Sequence, residues 1–187
     1  MKKKICIAIL VILLAIIGIV VFMNSRKSKE DENAIQFTEY TPQEEISEEQ
    51  LRQTLITLYF KNAETGMLMP EARLVDVKIL LDNPYKVLVE LLLEGPKNEK
   101  LQKAIPNDTK INSVEIKKDI VYIDFSEEFT KVGNIGAVEE SKIINSIVNT
   151  LTELTEVNGI KILINGEENM QFEDGELNFK EVFVRAN

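Results

Sequence analysis

Ser126 closes the run Val121-Tyr122-Ile123-Asp124-Phe125 and stands where a strand hands over to a turn, a position from which a nucleophilic serine can act. Such a serine needs a base to take its proton, most often a histidine. The chain has no histidine, and Glu127-Glu128 follow at once. Ser126 therefore reads as a helix N-cap, with its hydroxyl oxygen accepting from backbone N–H groups. Glu167-Glu168 and Glu173-Asp174-Gly175-Glu176 offer carboxylates to a cation such as calcium. An EF-hand loop sets its oxygens at alternate positions ahead of a glycine. That spacing is missing, so both clusters read as solvated loops. With 31 acidic residues, chance carboxylate pairs are unavoidable, and no glycosidase pair can be chosen among them. The reading assigns no catalytic residue, no cofactor and no metal.

Gly133-Asn134-Ile135-Gly136 lies between a short helix and a long one, which imitates the backbone-clamping loop of an RNA-binding KH domain. The loop carries no basic residue. After residue 23 the chain has 19 basic and 31 acidic residues, a net of −12, which opposes a phosphate backbone. The two glycines read instead as turn residues with positive φ. Two constellations remain. Glu71 and Arg73, with Asp124 on a later strand, form a candidate structural ion pair. Asn145, Asn149 and Thr152 lie opposite the apolar stripe of the long helix. Uncharged polar side chains can be covered at less cost than charges, so these three form a candidate protein-contact face.

The elements that must position these residues are legible from periodicity. Leu55 to Phe60 alternates as a half-buried strand, and Glu71 to Leu80 reads as a second, with Val75, Val77 and Ile79 on one side. Asn83-Pro84 opens a helix through Glu94, which Gly95-Pro96 ends. Lys110 to Lys117 and Ile120 to Phe125 form a hairpin about Lys118-Asp119. The long helix runs from Ala137 to about Glu156, with Ile143, Ile144, Ile147, Leu151 and Leu154 on its core side. Ile160 to Ile164 is a strand, and Val182-Phe183-Val184 suggests an edge strand. The order β-β-α-β-β-α-β predicts a two-layer α+β sandwich, with two helices packed on one face of a mixed sheet of about five strands.

The chain opens with Met1-Lys2-Lys3-Lys4 and an uncharged apolar run from Ile5 to Met23. As a helix this run is about 28 Å long, close to the hydrocarbon core of a bilayer. No small-x-small cleavage site follows, and Cys6 precedes nearly all of the run, unlike a lipoprotein cysteine. The expectation is a cytoplasmic head at 1–4, an uncleaved single-pass anchor at 5–23 and a charged tether at 24–50. An extracytoplasmic domain follows at 51–187, with its core at 55–167. A capping box at Ser47-Glu48-Glu49-Gln50 suggests a helical turn ahead of the domain.

Seven short motifs then occur in order. They are Leu58-Tyr59-Phe60, Pro70-Glu71-Ala72-Arg73, Leu91-Leu92-Leu93-Glu94-Gly95-Pro96, Ala104-Ile105-Pro106, Val121 to Ser126 with Phe129, Ser146-Ile147-Val148-Asn149-Thr150-Leu151, and Ile164-Asn165-Gly166. Together they resemble the GerM domain of sporulation and spore-germination proteins, in a single copy. The resemblance implies a non-enzymatic envelope protein of endospore-forming bacteria that supports a channel-like complex at the septum between mother cell and forespore. The α-β-β-α-β stretch from Pro84 to Ile164 is also similar to the ring-building motif of secretion-system ring proteins. The chain departs from the family's type member, which carries two such domains and a lipoprotein signal.

The functional expectation is a membrane-anchored envelope protein acting through protein contacts in sporulation or germination. Its partners are envelope or sporulation proteins or further copies of itself, and nucleic acid is excluded. The alternative is an extracytoplasmic wall-acting enzyme or solute-binding domain, which would show a deep pocket with converging carboxylates.

Overall fold

Leu58 and Phe60 are fully buried while Tyr59 and Lys61 are half-exposed, and this alternation sets the first strand, β1 (Gln53–Asn62). The computed structural model describes residues 52–186. The expected head, anchor and tether and the capping box at Ser47–Gln50 lie outside the described residues. Asn62 turns the chain by accepting from the N–H groups of Glu64 and Thr65, and Gly66 adopts φ 67°. β2 (Leu68–Asp76) returns antiparallel, pairing Gln53 with Asp76 and Lys61 with Leu68.

The alternation through Val77 and Ile79 predicts a longer strand, but β2 stops at Asp76. The Asp76 carboxylate accepts from the Lys78 N–H at 2.8 Å and caps a 3-10 turn over Val77–Leu80. This local side-chain bond competes with the strand ladder and ends it. Helix α1 (Pro84–Glu94) follows, with Asn83 accepting from the Lys86 N–H and proline at its first position. Gly95, at φ 107°, lets the chain leave the helix.

A two-residue strand, β3 (Leu101–Gln102), pairs with the end of β1 at Lys61 and Asn62. β4 (Ile111–Lys117) and β5 (Ile120–Phe125) form the expected hairpin, turning through Lys118 at φ 61°. A 3-10 turn at Glu127–Thr130 leads toward α2 (Ala137–Leu151), and β6 (Gly159–Ile164) then runs parallel to β5. α2 is shorter than its sequence pattern: it ends at Leu151 with Thr152 as C-cap, whose N–H and hydroxyl both donate to the Val148 carbonyl.

The α+β class and the element order match the sequence reading, with β3 added. The strands divide, however, into two sheets of three, ordered β2-β1-β3 and β4-β5-β6, instead of one sheet of about five. The reason lies on the edge of β1 that faces away from β2. There the Tyr59 N–H donates to Thr150 Oγ1 at 3.0 Å, and the Tyr59 carbonyl accepts from Ser146 Oγ at 2.6 Å. Helix α2 thus occupies a position that another strand would need.

Ile143, Ile144, Ile147 and Leu151 of α2 and Leu88, Val89 and Leu92 of α1 join both sheets in one core. That core continues past residue 167. Phe172 and Phe179 are fully buried with Phe125 and Phe129, at ring-centroid distances from 4.4 to 5.8 Å. The expected edge strand at residues 182–184 is a single antiparallel bridge, in which Phe183 and Ile160 exchange two backbone bonds of 2.8 Å.

Candidate functional site

Glu71 and Arg73 meet on β2, with Arg73 Nη2 at 2.5 Å from Glu71 Oε1. Arg73 is 4% exposed, donates to the Gly95 carbonyl at 2.8 Å and lies 5.8 Å from the Phe60 ring centroid. Glu71 also accepts from the N–H groups of Lys97 and Asn98 at 2.9 Å. Burial alone would raise its pKa. Arg73 and these N–H groups outweigh that effect and hold the carboxyl below its ordinary 4.5. The pair ties β2 to the chain leaving α1. Asp124 does not join it: that residue belongs to the second sheet and accepts from the Gly166 N–H at 2.9 Å, fixing the turn after β6.

Asn145, Asn149 and Thr152 are each partly exposed. The Thr152 hydroxyl is already used as a C-cap, so two amides remain at that face. Ser126 stands at the cap position of the 3-10 turn, yet its hydroxyl accepts from the Lys110 N–H at 3.0 Å instead. Gly133 and Gly136 adopt φ of 69° and 80°, in keeping with turn residues.

The sequence reading missed the residues that hold the C-terminal segment. Glu140 is completely buried, and its carboxylate accepts from the N–H groups of Glu176 and Leu177, the latter at 2.7 Å. Lys161, 6% exposed, donates to the carbonyls of Phe179, at 3.0 Å, and Lys180. One buried anion takes donors from this segment and one buried cation takes acceptors. The segment ends on a third clasp, where Arg185 donates to Glu153 Oε1 at 2.7 Å and to Tyr59 Oη at 2.8 Å. Tyr59 in turn donates to Glu153 at 2.9 Å. Burial and then the Glu153 carboxylate raise the Tyr59 pKa, while Arg185 lowers that of Glu153. A usable signal was present: Glu140 lies on the apolar stripe, three, four and seven residues before Ile143, Ile144 and Ile147, and Lys161 interrupts Ile160 and Ile162.

Among the described residues, seven of the twelve exposed large apolar side chains lie between residues 55 and 81. Leu55 and Leu74 are direct cross-strand partners, 63% and 61% exposed. Met67, Met69, Val77, Ile79 and Leu81 are exposed along the same stretch of chain. Beside Leu55–Thr57 lies a cleft of about 160 Å³, completed by Leu88, Thr150, Glu153 and Leu154. A second cleft, of about 140 Å³, lies against Tyr122 and Asp124 of β5. Both fall below the roughly 300–1,000 Å³ of small-molecule pockets. Among the described residues no group of three or more His, Cys, Asp or Glu could hold a metal ion, and no helix is long and apolar enough to cross a membrane.

Two three-stranded sheets and two helices that share one core define an α+β domain. The Germane family, described as sporulation and spore germination, matches residues 57–169, more than half of the chain, and the chain belongs to it. The chain is 38% identical over 93 residues to the spore germination protein GerM of Bacillus subtilis (strain 168). That match covers 46% of this chain and 24% of the relative, so it spans about a quarter of the relative's length. Among solved structures, the first GerMN domain of the Bacillus subtilis sporulation protein GerM superposes with a TM-score of 0.59 at 25% identity, covering 71% of this chain and 98% of that one. The tandem GerMN domains of the same protein give a TM-score of 0.56 at 24% identity, covering 73% and 47%, a likeness of fold. A putative lipoprotein from Clostridium perfringens gives 0.50 at 26%, covering 75% and 93%.

Proposed function

We propose that this protein serves sporulation or spore germination as an envelope protein working through protein contacts. In this reading residues 5–23 anchor it in a membrane, and the domain lies on the extracytoplasmic side. Confinement to one membrane surface raises its effective concentration for partners there. The contact reading rests chiefly on the leucine pair: two large apolar side chains face each other across β1 and β2, and each is more than half exposed. Large apolar side chains exposed side by side, unlike single scattered ones, favour an interaction site. Asn145 and Asn149 offer a second, polar face.

A photo-crosslinking residue at Leu74, introduced into the full chain in its native host, tests the reading. During sporulation it is expected to give a discrete adduct with an envelope or sporulation protein, or with a second copy. The same probe at exposed Glu99 is expected to give none. Identical weak adducts at both positions would overturn the contact reading.

A further inference from the structure

We infer that the free edge of β1 at Leu55 and Thr57 takes an added strand, supplied by an extended peptide in which an apolar side chain neighbours a lysine or arginine. This inference rests on the protein-contact reading and specifies the chemistry of the partner. In an antiparallel pair, alternate residues turn both main-chain groups toward the neighbouring strand, and the others turn them away. Tyr59 belongs to the second set, since its N–H and C=O meet Thr150 and Ser146. Lys61, two residues on, pairs with β3. Leu55 and Thr57 share this parity, and among the described residues nothing hydrogen-bonds their outward main-chain groups.

Strand edges are commonly guarded by charge or proline. β2 follows that rule, with Pro70 exposed on its edge. Residues Gln53 to Thr57 include neither. Beside them the cleft offers Ile56, Leu88 and Leu154 to one aliphatic side chain of an incoming strand. Its far wall is the C-terminal end of α2, the negative end of the helix dipole, with no basic residue in the last turn. Glu153, already paired with Arg185, and Glu156 follow that end, so the helix end and Glu156 supply the negative field that an incoming strand meets. Arg185 already shows how a guanidinium sits there, bonded to Glu153 and 5.4 Å from the Tyr59 ring centroid. A peptide with a cation beside its apolar residue meets this field favourably. Acidic residues would be repelled, and proline would remove a donor that the edge requires.

Residue-resolved amide exchange of the full chain in detergent solution tests this, using a capped heptapeptide of alternating valine and arginine. The amides of Leu55 and Thr57 are expected to slow by about tenfold or more at saturation, with those of β2 unchanged. Peptides with glutamate for arginine, or with a central proline, should bind at least about tenfold more weakly, as should Leu55→Lys with the original peptide. No slowing, or equal slowing by all three peptides, would overturn the inference. Slowing that grows with protein concentration alone would assign the edge to a second copy, and slowing by peptide-free lipid vesicles would assign it to a membrane; either result overturns it. If crosslinks at Leu74 persist while the peptide fails, only this inference falls. If both fail, the protein-contact reading falls with it.

Discussion

Arg73 carries a buried charge held by the Glu71 carboxylate and the Gly95 carbonyl, with the Glu94 carboxylate at 3.9 Å and Phe60 beneath it. Removing one member of such a pair leaves the other buried without compensation. Arg73→Met is therefore expected to cost about 3 kcal/mol in urea unfolding at neutral pH. Glu71 gives the pair a pH signature. Its folded pKa lies below 4.5, so its contribution is complete above that value and is lost as pH falls through the lower folded value. Stability measured downward from pH 5 should fall steeply in the native protein and less so in Glu71→Gln. Glu140 obeys the same logic of buried polar groups in a different setting, because its carboxylate satisfies backbone donors. Glu140→Ala is expected to cost about 1–3 kcal/mol and to speed amide exchange at Glu176 and Leu177.

At the scale of elements, the contact of α2 with β1 organises the domain. Ser146 and Thr150 lie four residues apart on one helix face and take the two main-chain groups of Tyr59. Thr150→Val keeps the shape but leaves the partly buried Tyr59 N–H without its partner. About 1–3 kcal/mol should be lost, with faster exchange at Tyr59, and Thr150→Ser should restore most of it. This contact also explains why the strands and helices were legible in the sequence and the sheet was not. Periodicity reports which side of an element is buried, as at Leu58 and Phe60 or Ile143 and Ile147. It does not report what meets a strand's edge, and two hydroxyls inside an apolar stretch gave no sign that they would replace a strand. The end of β2 escaped for a related reason, since the Asp76 cap is a side-chain event beneath an unbroken alternation. At the candidate site, Glu71 and Arg73 were legible as near neighbours in sequence, whereas placing Asp124 required knowing that the strands form two sheets.

At the scale of the whole described domain, the C-terminal segment closes the core. Glu140, Lys161 and Arg185 clasp it at three places, and Phe172 and Phe179 fill the aromatic centre of the core. The family match ends at residue 169, before either phenylalanine. A chain truncated after Asn169 should therefore lose cooperative unfolding and its near-ultraviolet dichroism, since deleting one buried phenylalanine side chain alone costs about 3–5 kcal/mol. Leu55 and Leu74 of the first sheet lie outside this core, each more than half exposed, and carry the proposed contact. Site-specific crosslinking from Leu74 in sporulating cells tests this most directly. The account predicts a discrete adduct with an envelope or sporulation protein, or with a second copy, that disappears in Leu55→Lys. Crosslinking no different from that at Glu99 would contradict it.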